Sequence, residues 1–401
     1  MRLPIPASLP LPGSTNRRLA RAHNINDLRT IAKRRLPRVI FDFADGAAED
    51  EVTKNRNNSA FQRYDLIPRT LVDVSHVDLS TTLLGQSLDL PFILAPTGGS
   101  RYFHRDGEVA VARAAHRAGT IYSLSSMSTT SIEDVAAASP GPRWFQIYVW
   151  RDRAIVREFF DRCRDTNYDV LCLTVDVPVH GHRERDLHNG FTLPPNLTAG
   201  AILDTALHPN WWLRYLTDPK PTLSNVVGRG VPDRDDIVSL GDYVDNQFDP
   251  AVTWTDLEWM VEAWDGPFAI KGILHPDDAI RAVDMGVRAI IVSNHGGRQL
   301  DQAPAAIDAL PAIVDAVGGR AEIILDGGIR RGADIVKALA LGANACMIGR
   351  AYLYGLAAAG EPGVDHALAI LRDETRRTMA LIGATSIDQI DSSVIRSRLP
   401  D

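Results

Sequence analysis

A short segment at residues 293–301, Ser-Asn-His-Gly-Gly-Arg-Gln-Leu-Asp, places a candidate base beside a candidate cation. His295 can accept a proton from a hydroxyl group, as histidine does in many active sites. Arg298 can bind a carboxylate through two parallel hydrogen bonds. A lone histidine is often a hydrogen-bonded core residue, but Gly296 and Gly297 indicate that a ligand approaches the backbone here. The segment therefore predicts a base that acts on an anionic substrate.

A second group of polar residues lies upstream, at residues 174–186. Asp176 could orient a histidine ring and stabilise its protonated form, and Arg183 is a second candidate for binding a carboxylate. His180 and His182 form a His-x-His pair, but no third ligand follows at a convincing spacing. We therefore predict no metal site.

Eight short apolar runs alternate with amphipathic helical segments, which is typical of a parallel sheet covered by helices. The predicted strands are residues 90–95, 121–125, 144–148, 170–175, 268–271, 289–293, 323–326 and 345–349. This pattern predicts a closed (β/α)8 TIM barrel. A doubly wound open sheet is the alternative, but it would carry a Gly-x-Gly-x-x-Gly turn after its first strand, and residues 95–99 do not match.

Polar or flexible residues follow all eight predicted strands, at the end of a barrel where catalytic loops lie. They are Pro96, Thr97, Gly98, Ser125, Ser126, Gln146, Tyr148, Thr174, Asp176, Lys271, Ser293, His295, Asp326, Gly327, Gly328, Gly349 and Arg350. The set predicts one large polar ligand over the barrel mouth. The turns at 326–330 and 349–350 contain Arg330 and Arg350 and follow strands seven and eight, where barrels commonly bind phosphate. The alternative is that these are two ordinary glycine turns with surface arginines, and we favour the phosphate site because the turns follow the expected strands.

The remaining segments suggest how the domain is bounded. Residues 1–25 are expected to be a disordered tail, 26–390 a single barrel domain, and 391–401 a C-terminal tail. A helix is predicted from Asn26, as its N-cap, to Leu36, before Pro37. Residues 194–250 form a long insertion between strands four and five, which predicts a lid or binding loop. The adjacent Trp211 and Trp212 would either anchor it to a membrane surface or, as we favour, pack it onto the barrel.

The composition limits the class of protein. The chain has 401 residues, 45% hydrophobic and 23% charged, with a net charge of −7. These values are typical of a globular protein and predict no nucleic-acid partner. Three cysteines without a Cys-x-x-Cys motif predict neither a disulfide framework nor zinc binding, and they favour a cytoplasmic location. No apolar stretch is long enough to span a membrane, so membrane association would be peripheral, through the insertion.

Three motifs together resemble those of the FMN-dependent α-hydroxy acid oxidases and dehydrogenases, the group of glycolate oxidase, L-lactate dehydrogenase and mandelate dehydrogenase. They are SNHGGRQLD at 293–301, LDGGIRRGADIVKALALGA at 325–343 and DLHNGFTLPP at 186–195. The likeness extends from about residue 26 to residue 390, and the paired tryptophans with FDP at 248–250 are similar to bacterial L-lactate dehydrogenases. The resemblance implies that FMN is the cofactor and that a small (S)-2-hydroxy acid is oxidised to the 2-oxo acid. It also implies a homo-oligomer, commonly a tetramer.

The resemblance also implies roles for individual residues. His295 would be the active-site base, oriented by Asp176, and would remove a proton as two electrons pass to flavin N5. Arg183 and Arg298 would bind the substrate carboxylate, and Tyr148 would donate a hydrogen bond to the substrate.

For the cofactor, the resemblance places Lys271 at the flavin N1 and C2 carbonyl. The residues implied at the isoalloxazine ring and ribityl chain are Pro96, Thr97, Gly98, Ser125, Gln146, Thr174 and Ser293. Those implied at the ribityl and phosphate end are Asp326, Gly327, Gly328, Arg330, Gly349 and Arg350.

Two positions bear on the substrate and the electron acceptor. Phe43 replaces a tyrosine that in this family donates to the substrate carboxylate, a loss of about 1.5–3 kcal/mol. We therefore expect a larger, aryl side chain on the substrate. Gly98 favours a dehydrogenase that reduces a quinone or another acceptor, because alanine is commoner there in oxidases that use O2.

Two other functions stay open at this point. The chain could be an FMN-dependent redox enzyme acting on a peptide-derived substrate, or a non-catalytic FMN-binding barrel. The presence of His295, Asp176 and Lys271 argues against the second, because phosphate binding requires none of them.

Overall fold

Eight parallel strands close into a barrel in the computed structural model, which describes residues 17–190, 198–226 and 248–398. The strands in these ranges are β1 (Tyr64–Leu66), β2 (Thr81–Leu83), β3 (Gln86–Leu88), β4 (Phe92–Leu94), β5 (Tyr122–Ser125), β6 (Arg143–Ile147), β7 (Val170–Thr174), β8 (Phe268–Ile273), β9 (Ala289–Val292), β10 (Glu322–Asp326), β11 (Ala345–Ile348) and β12 (Ile395–Ser397). Strands β4 to β11 pair in chain order, and β11 pairs with β4 to close the ring. The predicted (β/α)8 barrel is confirmed, and every predicted strand overlaps an observed one.

Helices cover the outside of the barrel and its mouth. Within the described residues they are α1 (Ile25–Arg35), α2 (Arg38–Asp45), α3 (Val52–Ser59), α4 (Gly107–Arg117), α5 (Ile132–Ala138), α6 (Arg153–Asp165), α7 (Glu184–His188), α8 (Ala199–Ala206), α9 (Pro209–Thr217), α10 (Trp254–Ala263), α11 (Pro276–Asp284), α12 (Ala306–Val317), α13 (Gly332–Ala340), α14 (Arg350–Ala359) and α15 (Glu361–Ile382). None of the described helices is long and apolar enough to cross a bilayer.

The barrel has two apolar regions, one inside the ring of strands and one between strands and helices. The inner cluster includes Trp144, Ile291 and Met347, and it continues into Leu83 and Leu88 of the β2–β3 hairpin. This hairpin therefore closes the amino-terminal end of the barrel. The carboxyl ends of the strands are left as the open mouth, where a barrel places its functional loops.

The predicted N-cap of α1 was wrong by two residues. Asn24, rather than Asn26, accepts the hydrogen bond from the backbone N–H of Asp27, at 3.0 Å. Asn26 is exposed in the first turn, and the helix ends at Arg35, before Pro37, as predicted. The cap lies at Asn24 because the helix begins where Ile25 becomes fully buried.

The described residues on either side of the predicted domain, 17–25 and 391–398, make packing contacts. In the described part of the N-terminal segment, Leu19 and Ala22 are 5% and 2% exposed. At the C-terminus, β12 pairs antiparallel with β1. Some residues outside the predicted bounds of 26 and 390 therefore contact the rest of the domain through pairings that are distant in sequence.

The described part of the insertion forms α8 and α9, which lie over the mouth. The Trp211 indole N–H donates to the backbone oxygen of Tyr102 at 2.8 Å, and its ring stacks on Tyr215 with centroids 5.2 Å apart. This contact supports the interpretation that Trp211 packs onto the barrel. Residues 194–197 and 227–247 of the predicted insertion lie outside the described residues.

Candidate active site

The carboxyl ends of the barrel strands, together with α2, α7 and α9, surround a cavity of about 1040 Å³. Most of the predicted site residues line it. They are Phe43, Pro96, Thr97, Gly98, Ser125, Tyr148, Arg183, Lys271, His295, Arg298, Asp326, Gly327, Gly328, Arg330, Gly349 and Arg350. The other four lie outside the lining: Asp176 bonds His295, Gln146 bonds Ser125, Ser293 bonds Lys271, and Thr174 is buried at the end of β7. The residues predicted from the sequence therefore lie in or directly beside one cavity.

His295 is held by a carboxylate. Its Nδ1 lies 2.9 Å from Oδ1 of Asp176, which leaves Nε2 as the ring atom that can accept a proton. Burial would raise the pKa of Asp176, but His295 and Lys271 together lower it below its ordinary value. Asp176 is therefore ionised, so that Nδ1 donates to it and a positive charge on the ring is stabilised.

The turn that carries His295 is fixed by two asparagines, one of which the sequence patterns did not suggest. Asn57 on α3 and Asn294 exchange two amide hydrogen bonds of 2.7 and 2.8 Å. Oδ1 of Asn294 also accepts from the backbone N–H of Gly297 at 3.2 Å. His295 itself has a φ of +56°, in the left-handed region. A side chain rarely adopts this conformation, so the asparagine pair holds the base in a strained backbone geometry.

Tyr148 provides a hydrogen-bond donor near the base. Burial and the nearby Asp176 raise the pKa of Tyr148 to about 12, so the phenol keeps its proton at physiological pH. Its ring meets Phe248 edge-to-face, with centroids 5.1 Å apart.

Arg298 and Arg183 are two of the cations that line the cavity. Arg298 donates through Nη1 to the backbone oxygens of Phe43 and Gly46, at 2.7 and 3.1 Å. Its removal from solvent, with Arg183 and Arg350 nearby, lowers the pKa of Arg298 to about 9. Nε of Arg183 lies 3.3 Å from a carboxylate oxygen of Asp186. An incoming carboxylate would therefore relieve the repulsion between the two guanidinium groups.

A buried lysine marks another position in the site. Nζ of Lys271 lies 2.9 Å from Oγ of Ser293 and 2.8 Å from Oδ2 of Asp326, and Ser293 donates to the same carboxylate oxygen at 2.8 Å. Burial opposes the charge on Lys271, but Asp326 and Asp176 raise its pKa above the ordinary value. Lys271 is therefore a permanent cation.

The turn after β10 packs closely against α3. Gly328 has a φ of +81°, and a Cβ there would lie 2.1 Å from the backbone oxygen of Asn57. Only glycine fits this position. Helix α14 begins directly after Gly349 and has no side-chain cap, and N–H groups at a helix N-terminus can bind phosphate. At the start of α13, by contrast, Asp334 and Glu374 already accept from the backbone N–H groups of Arg331 and Gly332.

The two arginines of these turns also hold the backbone. Arg350 donates at 2.9, 2.8 and 2.7 Å to the backbone oxygens of Ala44, Gly296 and Gly46. Three of its five N–H groups are used in this way, so two remain for a ligand. Arg330 donates through Nη1 to the backbone oxygen of Ile329 at 2.7 Å. Arg350 thus has a structural role that the sequence did not predict.

Comparison with known proteins agrees with this arrangement. A sequence model of the FMN-dependent dehydrogenase family matches residues 32–397. The chain belongs to the family of FMN-dependent dehydrogenases. The putative L-lactate dehydrogenase of Mycobacterium tuberculosis is 46% identical over 378 residues, covering 94% of this chain and 90% of that protein. The L-lactate oxidase of Nostoc sp. is 45% identical over 376 residues, covering 93% and 97%.

A solved structure shares the whole architecture. The crystal structure of the monotopic membrane protein (S)-mandelate dehydrogenase matches with a TM-score of 0.90 and 39% identity, covering 94% of this chain and 100% of that one. Membership of the FMN-dependent dehydrogenases confirms the predicted cofactor, FMN, and an enzyme that oxidises 2-hydroxy acids.

The residues of this chain fit FMN. Nε2 of Gln146 is buried and has no hydrogen-bond partner among the described residues, while Oε1 of the same amide accepts from Ser125 at 2.9 Å. An amide N–H in this position requires an acceptor, and a flavin carbonyl supplies one. The two N–H groups of Arg350 that make no hydrogen bond in the described residues suit the phosphate.

The Asp176→Asn variant tests the histidine–carboxylate pair. We expect kcat to fall by about 10²-fold or more, because general-base catalysis contributes about 10²–10⁴-fold and the protonated ring loses its counter-charge. The measurement is steady-state kinetics with FMN content determined by absorbance. The surface variant Asp284→Asn, which breaks the ion pair with Arg320, should leave kcat unchanged. An Asp176→Asn enzyme with full FMN content and the parent kcat would contradict the role of this carboxylate.

Proposed function

We propose that this protein oxidises a 2-hydroxy acid with a bulky apolar side chain to the 2-oxo acid and passes the electrons to a quinone rather than to O2. The observation that carries the proposal is the His295–Asp176 pair beside Arg183 and Arg298 in one cavity. This combination suits a substrate that has both a proton to lose and a carboxylate to bind. A barrel that only bound phosphate would need none of these groups.

Each of these residues has a separate role in the proposed reaction. Arg183 and Arg298 bind the substrate carboxylate, and Tyr148 donates a hydrogen bond to the substrate. Nε2 of His295 takes the hydroxyl proton, and the ionised Asp176 stabilises the resulting charge. When bound, FMN supplies the two-electron acceptor, and Lys271 places a permanent positive charge against the flavin.

The apolar part of the cavity favours a large substrate side chain. Phe43 stacks on Phe103 with ring centroids 6.2 Å apart and an interplanar angle of 13°. The guanidinium carbons of Arg183 and Arg298 lie 5.7 and 5.3 Å from the Phe43 ring centre. Met127 and other apolar residues of the cavity wall continue this surface. An aryl group could therefore pack beside the ring while its carboxylate meets the arginines.

The Phe43→Tyr variant tests this preference. The added hydroxyl would lie near the carboxylate-binding arginines, and a hydrogen bond to a charged group contributes about 1.5–3 kcal/mol. We expect kcat/KM for lactate to rise about tenfold or more while that for mandelate changes little, so the ratio of the two shifts toward lactate. Parallel kinetics of parent and variant measure this ratio. An unchanged ratio would show that Phe43 does not determine the preference.

The proposed acceptor depends on the surroundings of Gly98. A Cβ at Gly98 would lie 2.9 Å from the backbone oxygen of Met127 and 3.0 Å from its Cβ. The loops after β4 and β5 therefore meet too closely for alanine, the residue commoner in the oxidases of this family. This packing supports a dehydrogenase that reduces a quinone.

An anaerobic half-reaction tests the function as a whole. The FMN-loaded protein is mixed without oxygen with a panel of 2-hydroxy acids, and we expect aryl substrates to bleach the flavin absorbance band fastest. The reduced protein is then mixed with aerated buffer or with a soluble quinone, and the quinone should restore the band faster. No bleaching by any 2-hydroxy acid would refute the reaction, and fast recovery in air would refute the proposed acceptor.

We also propose that the insertion binds a membrane surface peripherally. Five apolar side chains of α8, α9 and the turn between them are 48–72% exposed: Ile202, Leu203, Leu207, Leu213 and Leu216. Several exposed large apolar side chains on neighbouring helices are typical of an interaction surface. The structural relative (S)-mandelate dehydrogenase is described as a monotopic membrane protein. A quinone acceptor dissolved in the membrane would then lie close to the barrel mouth.

The double variant Leu203→Ser/Leu207→Ser tests the membrane proposal. Burying a leucine side chain contributes about 1.5–3 kcal/mol, so we expect the partition coefficient to fall more than tenfold. The measurement is sedimentation with vesicles of phosphatidylcholine and phosphatidylglycerol. Leu381→Ser, at an exposed leucine on α15, is the matched control and should sediment like the parent. Equal sedimentation of the double variant and the parent would exclude this face.

A further inference from the structure

Two arginines of the site hold the same stretch of backbone. Arg298 donates to the backbone oxygens of Phe43 and Gly46, and Arg350 donates to those of Ala44 and Gly46. We call these three oxygens the carbonyl bracket. They lie at the C-terminal end of α2, where unpaired carbonyl groups and the helix dipole favour a positive charge. The position of the bracket therefore sets the orientation of both guanidinium groups.

Asp45 lies between Ala44 and Gly46, and its side chain connects the carbonyl bracket to other elements. Its carboxylate receives hydrogen bonds from Arg29 on α1 at 2.5 and 2.8 Å, from Arg185 on α7 at 3.1 Å, and from the Tyr354 hydroxyl on α14 at 2.7 Å. Lys54 on α3 lies 3.8 Å away. The Asp45 side chain is 2% exposed. One carboxylate thus connects the bracket to four separate helices.

The charge on Asp45 is what these partners bind. Burial alone would raise the pKa of Asp45, but Arg29, Tyr354 and Lys54 hold it well below the ordinary value. Removing one charge from a buried ion-pair network leaves the remaining charges unpaired, which strongly destabilises the structure around them. Neutralising Asp45 would therefore release the end of α2 from Arg29 and Arg185.

We propose that Asp45 is a positioning residue that, by fixing the carbonyl bracket, aims Arg298 at the substrate carboxylate and Arg350 at the FMN phosphate. The proposal rests on the roles proposed above for these two arginines. It implies that a single carboxylate, which touches neither ligand, controls the affinity for both. Ion pairs elsewhere, such as Arg63 with Asp308 on α12, have no contact with the bracket.

The Asp45→Asn variant is the direct test, since it removes the charge and keeps the shape. Two affinities are measured: FMN binding to the apoprotein, by quenching of FMN fluorescence, and 2-oxo acid binding to the FMN-loaded protein, by the shift in flavin absorbance. We expect both dissociation constants to rise about tenfold. Asp308→Asn is the matched control and should leave both unchanged. Unchanged constants in Asp45→Asn would overturn the proposal.

A double-mutant cycle separates positioning from general destabilisation. In an Arg298→Lys background, Asp45→Asn should have little further effect on 2-oxo acid binding but should still weaken FMN binding. In an Arg350→Lys background, the reverse is expected, because coupled residues give non-additive effects. Fully additive effects in both backgrounds would show that Asp45 acts only on stability, and would overturn the proposal.

A milder variant covers the case in which Asp45→Asn does not fold. Tyr354→Phe removes one hydrogen bond to Asp45 and retains the ring, and about a threefold rise in both constants is expected. No change in either constant would then overturn the proposal. If the parent protein binds neither FMN nor any 2-oxo acid, the proposed function fails. If the parent binds both and the variants equal it, only the positioning role fails.

Discussion

The enclosed mouth of the barrel concentrates positive charge, and the rest of the structure depends on how that charge is balanced. Lys271 is buried, and Arg298 and Arg350 are half-buried, which is costly for an uncompensated ion. Lys271 is balanced by Asp326, whereas the two arginines donate to backbone oxygens and keep further N–H groups for a ligand. In the proposed function, a carboxylate at Arg298 and a phosphate at Arg350 would supply the missing negative charge. The same requirement is the reason we propose two anionic ligands for this site.

Elements outside the barrel repeat complete this balance. The C-terminal end of α2 provides carbonyl oxygens to both arginines, and α3 provides Asn57, which holds the turn of His295. The barrel strands thus bring the cations together, and the N-terminal helices orient them. A barrel without this segment would keep the proposed catalytic residues but would lose both backbone acceptors of Arg298 and two of the three acceptors of Arg350.

The strands were predictable because each is buried on both faces, and such strands appear as continuous apolar runs. The observed bounds differ by one or two residues, as for β4, which spans Phe92–Leu94 rather than 90–95. The N-cap of α1 was not predictable, since Asn24 and Asn26 are equally good caps, and burial of Ile25 decides between them. The pairing of β1 with β12 was also not predictable, because over 300 residues separate these strands and no local sequence pattern indicates that they meet.

The amino-acid sequence by itself determined the barrel, the family and the side chains at the strand ends, because hydrophobic periodicity and residue type are local properties. The tertiary structure alone decided which backbone oxygens Arg298 and Arg350 bind, and that Asp45 connects them to four helices. Asn57 and Asn294 are 237 residues apart, and Arg298 and Phe43 are 255 apart. Contacts over such separations depend on how the chain closes in space, and no spacing within a segment records them.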